Sequence, residues 1–281
     1  RDLRRVELVP VLNTHADWVR LTETARLVSR YHYTADTAAL TLDHEPPPVA
    51  PEYQRQILTD ILTAPHPEKG LDLLLNAGIV DLWWPELSDL TTVDHAKDYH
   101  PEGGGWQHTL ATFGYRKRPD MELSLALLLH DIGKPYSRPM GNKRFFGHAD
   151  IGAQVATRFL KRLGFGESVV REVAFLVLYH MIPGAMREGG HNPSSRDLIE
   201  RLMTEPSFPQ LLELYRADTL ATFGSPEQYY RACRIYRSYR GTTLHGELSL
   251  NAPARTQKNR LPHEQQPIRS GRRRLRRRRR R

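Results

Sequence analysis

Apolar residues recur at helical spacing along most of this chain. Trp18, Leu21, Ala25 and Val28 predict helix within the first 45 residues. Pro46-Pro47-Pro48 breaks the chain into a linker. Pro51 then opens a helix where proline is tolerated, with Ile57, Leu58, Ile61 and Leu62 as its buried face. Pro65-His66-Pro67 is a turn, and Leu71, Leu74 and Leu75 form the next helix, capped by Gly78. Trp83-Trp84-Pro85-Glu86-Leu87 predicts a short helix start whose indole rings pack in the core. Gly103-Gly104-Gly105 leads into a helix at roughly 106–117, and Leu125 to Leu129 is an unbroken apolar run. Ile151, Val155, Phe159 and Leu163 share one face of a later helix. Val169, Val173, Leu176 and Val177 define another, ending near His180. Ser194 with Asp197 resembles a capping box. Helices at 209–222 and 226–240 follow, the last with Tyr229, Cys233 and Tyr236 as its inner stripe. Neither a strand pattern nor an internal repeat is evident, so the fold class is all-α.

Composition adds limits. The 281 residues can hold one large domain or two modest ones, and 39% apolar with 26% charged residues suits a soluble globular protein. The longest apolar run is too short to span a bilayer, so no membrane partner is expected. The charged start, Arg1-Asp2-Leu3-Arg4-Arg5, has no apolar segment of signal-peptide type after it. It also lacks an initiator Met, which suggests a fragment or a miscalled reading frame. One cysteine, Cys233, excludes an internal disulfide and fits a cytoplasmic location. The net charge of +9 comes from residues 272–281, which hold nine arginines. Without them 32 basic residues face 32 acidic ones, so the body is not a basic protein. From about Asn251 the chain turns polar, then nearly pure arginine, and such a block repels itself and stays disordered. It reads either as an RNA-binding tail or as a solvated or artefactual one, and the purity of the run favours the second.

The candidate chemistry centres on the end of the apolar run. His130-Asp131 follows Leu129 directly, and Gly133-Lys134-Pro135 stops the helix there. Four more residues are in a position to join this pair: His108 on the preceding helix, His148 in a loop opening a helix, His180 at the end of an apolar helix, and Asp218 among apolar neighbours. Each has a structural explanation when taken alone. His108 and His180 suit core histidines, His148 an N-cap, and Asp218 a partner for Arg216 or Arg171. Together, four imidazoles and two carboxylates make a mixed N/O set that suits Mn, Fe, Co, Ni or Zn better than Mg alone.

The order His108, His130-Asp131, Asp218 resembles the H…HD…D pattern of the HD superfamily of metal-dependent phosphohydrolases. His148 and His180 match the two extra histidines of its members with a two-metal site. Locally, Trp106-Gln107-His108-Thr109-Leu110, Leu128 to Pro135 and Gly147 to Ala153 resemble the HD region of bacterial CCA-adding tRNA nucleotidyltransferases and poly(A) polymerases. Residues 57–87 are similar to the segment that leads into it, and Tyr99-His100-Pro101-Glu102-Gly103 to its entry. The resemblance spans roughly residues 15–225. It implies a helical neck and body at 1–90, an HD bundle at 91–245, and a disordered tail at 246–281.

The resemblance implies a phosphohydrolase or phosphodiesterase acting on nucleotides, 2′,3′-cyclic phosphates or RNA ends. One metal is expected on His108, His130, Asp131 and Asp218, and a second on His148 and His180 with Asp131 bridging. Lys134 is expected to bind a phosphate oxygen or protonate the leaving group, or else to be a helix C-terminal cation. Arg138 and Arg144 are weaker phosphate candidates, and His191 is expected at the surface. No glycine-rich strand-turn or Asp-x-Asp pair of a nucleotidyltransferase head is present, so nucleotide addition is not expected from this chain alone. The rival expectation is a non-catalytic body that positions tRNA for a separate nucleotidyltransferase head. A third is a remnant whose metal only stabilises the fold.

Overall fold

The computed structural model describes residues 5–6, 17–31, 33–35, 49–94, 104–140, 143–188 and 193–250. The chain divides into two units, residues 1–240 and 241–281. Helix α1 (Asp17–Tyr31) is followed by α2 (Pro51–Leu62), α3 (Pro67–Asn76), α4 (Ile79–Trp83) and α5 (Pro85–Ser88). Three of these open on a proline, whose missing N–H costs nothing in the first turn. Gly78 sits in the left-handed region (φ 75°) just past α3, as the cap there requires. At Gly70 a Cβ would collide with the Ala25 carbonyl and the Ser29 hydroxyl, so α1 and α3 approach backbone to side chain. Trp18 and Trp83 meet edge to face at 5.3 Å, and Trp84 is fully buried beside them, which places the indole pair in the core.

Helix α6 (Gly105–Phe113) stops four residues before the expected Lys117. Gly114 weakens the helix there, and Arg116 has another use. Its guanidinium donates to the carbonyls of Leu62 and Ala64, at the end of α2, and to the Ser124 hydroxyl at 2.6 Å. One side chain thus fastens α2 to α7 (Met121–Leu129). Asp120 caps α7 by accepting the Leu123 N–H at 2.9 Å. All residues from Leu123 to Leu129 are buried, and all but Ser124 are apolar, as befits a central helix. It packs against α2, α6, α9 (Glu167–Tyr179) and α12 (Phe208–Phe223).

The longest helix–helix interface joins α8 (His148–Arg162) to α9 through a short turn with Gly164 at φ 73°. Val155, Ala156, Phe159 and Leu160 meet Val170, Val173, Leu176 and Val177 in the core. Helix α10 (Ile182–Ala185) and α11 (Pro193–Thr204) precede α12. Helix α11 opens at Pro193, one residue before the expected Ser194 cap, and the Ser194 side chain lies outside the described residues. Helix α13 (Glu227–Leu250) ends the described chain, so the expected tail start at 246 falls inside it. The arginine run and His191 lie outside the described residues.

Two short ladders were not expected. Strand β1 (Arg5–Val6) pairs parallel with β2 (Thr34–Ala35), and β3 (Arg138–Met140) pairs antiparallel with β4 (Lys143–Phe146). Gly141-Asn142, between the last two, is a two-residue hairpin signature in the sequence. These ladders leave the architecture all-α. One described stretch, Glu167–Ala185, is long and apolar enough to cross a membrane, but its Val173, Leu176 and Val177 are core residues here.

One hydrophobic core runs from Trp18 to Ala232, with no break near residue 90. Unfolding of residues 1–240 is therefore expected as one transition. Trp84→Ala should destabilise it by about 3–5 kcal/mol. Urea titrations followed by tryptophan fluorescence and far-UV circular dichroism should give coincident midpoints. Separate transitions for the two signals would show independent units.

Candidate metal centre

The six predicted ligands arrive from different elements and meet at the C-terminal end of α7. His108 lies within α6, where Gly105 lets the helix start close against Leu90 and Val93. His130 and Asp131 follow α7 directly. His148 is the first residue of α8, and His180 follows the last of α9. Asp218 lies within α12, held against α6 and α7.

Their imidazoles are aimed by the backbone. The Nδ1–H of His130 donates to the Leu127 carbonyl at 2.9 Å, that of His148 to Phe145 at 2.8 Å, and that of His180 to Val177 at 2.7 Å. Each acceptor lies three residues upstream. Fixing Nδ1–H leaves the Nε2 lone pair as the free ligand atom. These lone pairs face inward. His108 Nε2 is 3.3 Å from His130 Nε2, and His148 Nε2 is 3.2 Å from His180 Nε2. In the His148–His180 pair both Nδ1–H groups are already used, so the two facing Nε2 lone pairs repel unless a cation lies between them. The donor set thus fits divalent metal on an observation independent of the motif.

Asp131 joins the two pairs. Its Oδ2 lies 3.3 Å from His130 Nε2 and 3.8 Å from His108 Nε2. Its Oδ1 lies 3.7 Å from His148 Nε2 and 3.9 Å from His180 Nε2. Asp218 Oδ1 is 3.1 Å from His108 Nε2 and 3.9 Å from His130 Nε2. Two ligand groups result, His108–His130–Asp131 and Asp131–His148–His180, with the carboxylate common to both. Arg216, the suggested structural partner of Asp218, binds Glu213 and the Tyr115 carbonyl instead.

Electrostatics keeps these groups ready for a metal. Burial would push Asp131 up, but His130 and Lys134 outweigh it and hold the carboxylate well below its usual range. Burial also raises Asp218, and the His108 hydrogen bond with the charge of His130 overrides it. Burial and His130 together lower His180 to about 4 against the pull of Asp131, so its ring is neutral at pH 7.

Lys134 sits beside the pair, with Nζ 2.6 Å from Asp131 Oδ2 and 5.4 Å from the centre of the Phe145 ring. Arg138 is exposed on β3, and the Arg144 side chain lies outside the described residues. The three carbonyl partners were missed by sequence reasoning, although their constant spacing of three residues at helix ends was a usable signal. Gly133 was read only as a helix stop. A Cβ there would collide with the His148 carbonyl and the Gly152 backbone, so this glycine lets the His130-Asp131 turn lie against the start of α8.

Residues 93–222 match the family model described as HD domain. This segment is an HD domain. The wider chain is 32% identical, over 84% of its length and 57% of the relative's, to the CC-adding tRNA nucleotidyltransferase of Thermus thermophilus. It is 32% identical to the A-adding tRNA nucleotidyltransferase of Deinococcus radiodurans, over 80% of this chain and 54% of that one. A Multifunctional CCA protein of Neisseria meningitidis matches at 30% identity, over 59% of this chain and 42% of its own. The chain thus spans about half the length of these curated relatives. All six ligand positions lie inside the HD domain.

Two outcomes test this geometry. Gly133→Ala should remove bound metal, measured by elemental analysis of the purified protein, because α8 must shift away. In the metal-free protein the native His180 pKa is about 4 against 6.5 unfolded, so the unfolded state binds more protons between these values. Stability therefore falls as pH drops through that window, by about 2 kcal/mol from pH 7 to pH 5. Urea midpoints at both pH values should show this loss, and His180→Gln should reduce it.

Proposed function

We propose that this chain is a metal-dependent phosphohydrolase of the HD type, acting on phosphodiesters such as 2′,3′-cyclic phosphates, nucleotides or RNA ends. The observation that carries the reading is the bridging Asp131 between two facing histidine pairs. His108, His130, Asp131 and Asp218 would hold one divalent ion, and Asp131, His148 and His180 a second. Mn, Ni, Co, Fe and Zn suit this N/O set, and Mg suits it less. Bound ions supply an activated water and neutralise charge on phosphoryl oxygens.

The protein's own groups do the rest. The carbonyl contacts of His130, His148 and His180 fix their rings before substrate arrives, so no reorganisation is needed at the site. Asp131 stays ionised and unites the two ligand groups. Lys134, 11% exposed and adjacent to Asp131, either binds a phosphate oxygen or donates to the leaving group. Arg138, exposed on β3, offers positive charge in the neighbouring hairpin for the rest of the substrate, and Arg144 remains a candidate by sequence alone. The lone Cys233 is free, which fits a reducing cytoplasm.

A second reading rests on the relatives. Proteins named for adding nucleotides to tRNA align with this chain over about half their length, so the helical body would position tRNA for a separate nucleotidyltransferase head. In that reading residues 1–90 form the neck and residues 91–245 the HD bundle.

Metal analysis with turnover of bis(p-nitrophenyl) phosphate and 2′,3′-cyclic AMP under Mn or Ni decides the first reading. Asp131→Ala should fall to the uncatalysed background, and parental activity in that variant would refute it. Titration of tRNA across a salt series decides the second. Binding that survives deletion of residues 272–281 belongs to the body, and binding lost with them belongs to the arginine run.

A further inference from the structure

Asp218 has neighbours that the metal reading leaves unused. Tyr215 lies one turn before it on α12 and is 6% exposed. The Tyr215 hydroxyl donates to Gln228 Oε1 on α13 at 2.9 Å. Against α10 the same hydroxyl is so close that a Cβ at Gly184 would lie 3.0 Å from it. Three elements therefore meet at this oxygen, beside the metal ligand.

Two arginines flank that junction. Arg187 folds back on the end of α10, donating to the carbonyls of Gly184 at 2.8 Å and Met186 at 2.9 Å. Arg231 lies one turn past Gln228 on α13 and is only partly buried, yet its Nε–H is buried without a hydrogen-bond acceptor among the described residues. Such a donor costs free energy until an acceptor reaches it. Other nearby cations are committed elsewhere, Arg216 to Glu213 and Arg234 to Glu188 at 2.8 Å. The electrostatics agrees with this placement. Burial and Asp218 push Tyr215 up, while Arg231 and Arg187 pull it back.

We infer that Arg231 and Arg187 form an anion-binding rim beside Tyr215 and Asp218, which takes a second phosphate of the substrate, next to the one being cleaved. This rests on the phosphohydrolase reading and narrows its substrate class. Two guanidiniums match the oxygens of a phosphodiester through charge-assisted hydrogen bonds. A nucleoside 2′,3′-cyclic phosphate has no second phosphate to offer. An RNA end has one on the adjoining nucleotide. The favoured substrates are therefore oligonucleotide ends rather than free cyclic mononucleotides.

The test compares 2′,3′-cyclic AMP with the dinucleotide ApA carrying a terminal 2′,3′-cyclic phosphate, using the full chain loaded with Mn. The parent should prefer the dinucleotide in kcat/KM by roughly tenfold or more, the size of one well-made charge-assisted contact. Arg187→Gln with Arg231→Gln should abolish the preference and leave cyclic AMP turnover unchanged. Arg231→Lys should restore part of it, which a merely structural role would not. Equal kcat/KM for both substrates in the parent, or a preference that survives in the double variant, overturns the rim. Calorimetric binding of pApA and of AMP gives the same comparison without turnover. If neither cyclic substrate is cleaved, the hydrolase reading fails alone. The rim then stands if pApA binds roughly tenfold tighter than AMP only with both arginines present, and falls if the double variant binds pApA equally well.

Discussion

The structure depends on four inward-facing imidazoles gathered around one buried carboxylate. The Nε2 atoms of His148 and His180 face each other at 3.2 Å with both Nδ1–H groups already used, which is unfavourable in an empty core. Ordinary packing would replace them with leucines. Everything around them works to hold the arrangement: an apolar α7 buried on all sides, a glycine contact between the α7 turn and α8, and an ionised Asp131 at the centre. The cost is tolerable only if positive charge is shared among them. That requirement ties the fold of residues 93–222 to their chemistry.

Much of this could be read from the sequence, and the reason is physical. Periodicity located α2, α7, α8 and α9 because each buries a wide apolar face. All six candidate ligands were named in advance: His130, Asp131, His148 and His180 because they stand at the termini of helices, Asp218 because it is a carboxylate on a buried face, and His108 because it lies on the helix preceding the apolar run. Proline and glycine marked several boundaries correctly, as at Pro51 and Gly78.

What escaped was long-range or backbone-borne. Arg116 looked like the continuation of α6, and nothing local shows that it reaches the end of α2, more than fifty residues away. The β3–β4 hairpin has strands of three and four residues, too short for alternation to register. The carbonyls of Leu127, Phe145 and Val177 carry no side-chain signature at all. Tyr215, Arg187 and Arg231 gather only because α10, α12 and α13 converge, so spacing could not reveal them.

The aiming of the histidines has a further implication for how this site tolerates change over generations. A ring held by a neighbouring aspartate or serine is lost when that one codon mutates. Here the acceptor is a main-chain oxygen, which every amino acid possesses. Leu127, Phe145 and Val177 are thus free to be exchanged for other residues that keep the helix ends and the packing, and the tautomers of His130, His148 and His180 are inherited unaltered. The orientation of the site is a property of where α7 and α9 stop and where β4 gives way to α8, and it drifts only when those boundaries do.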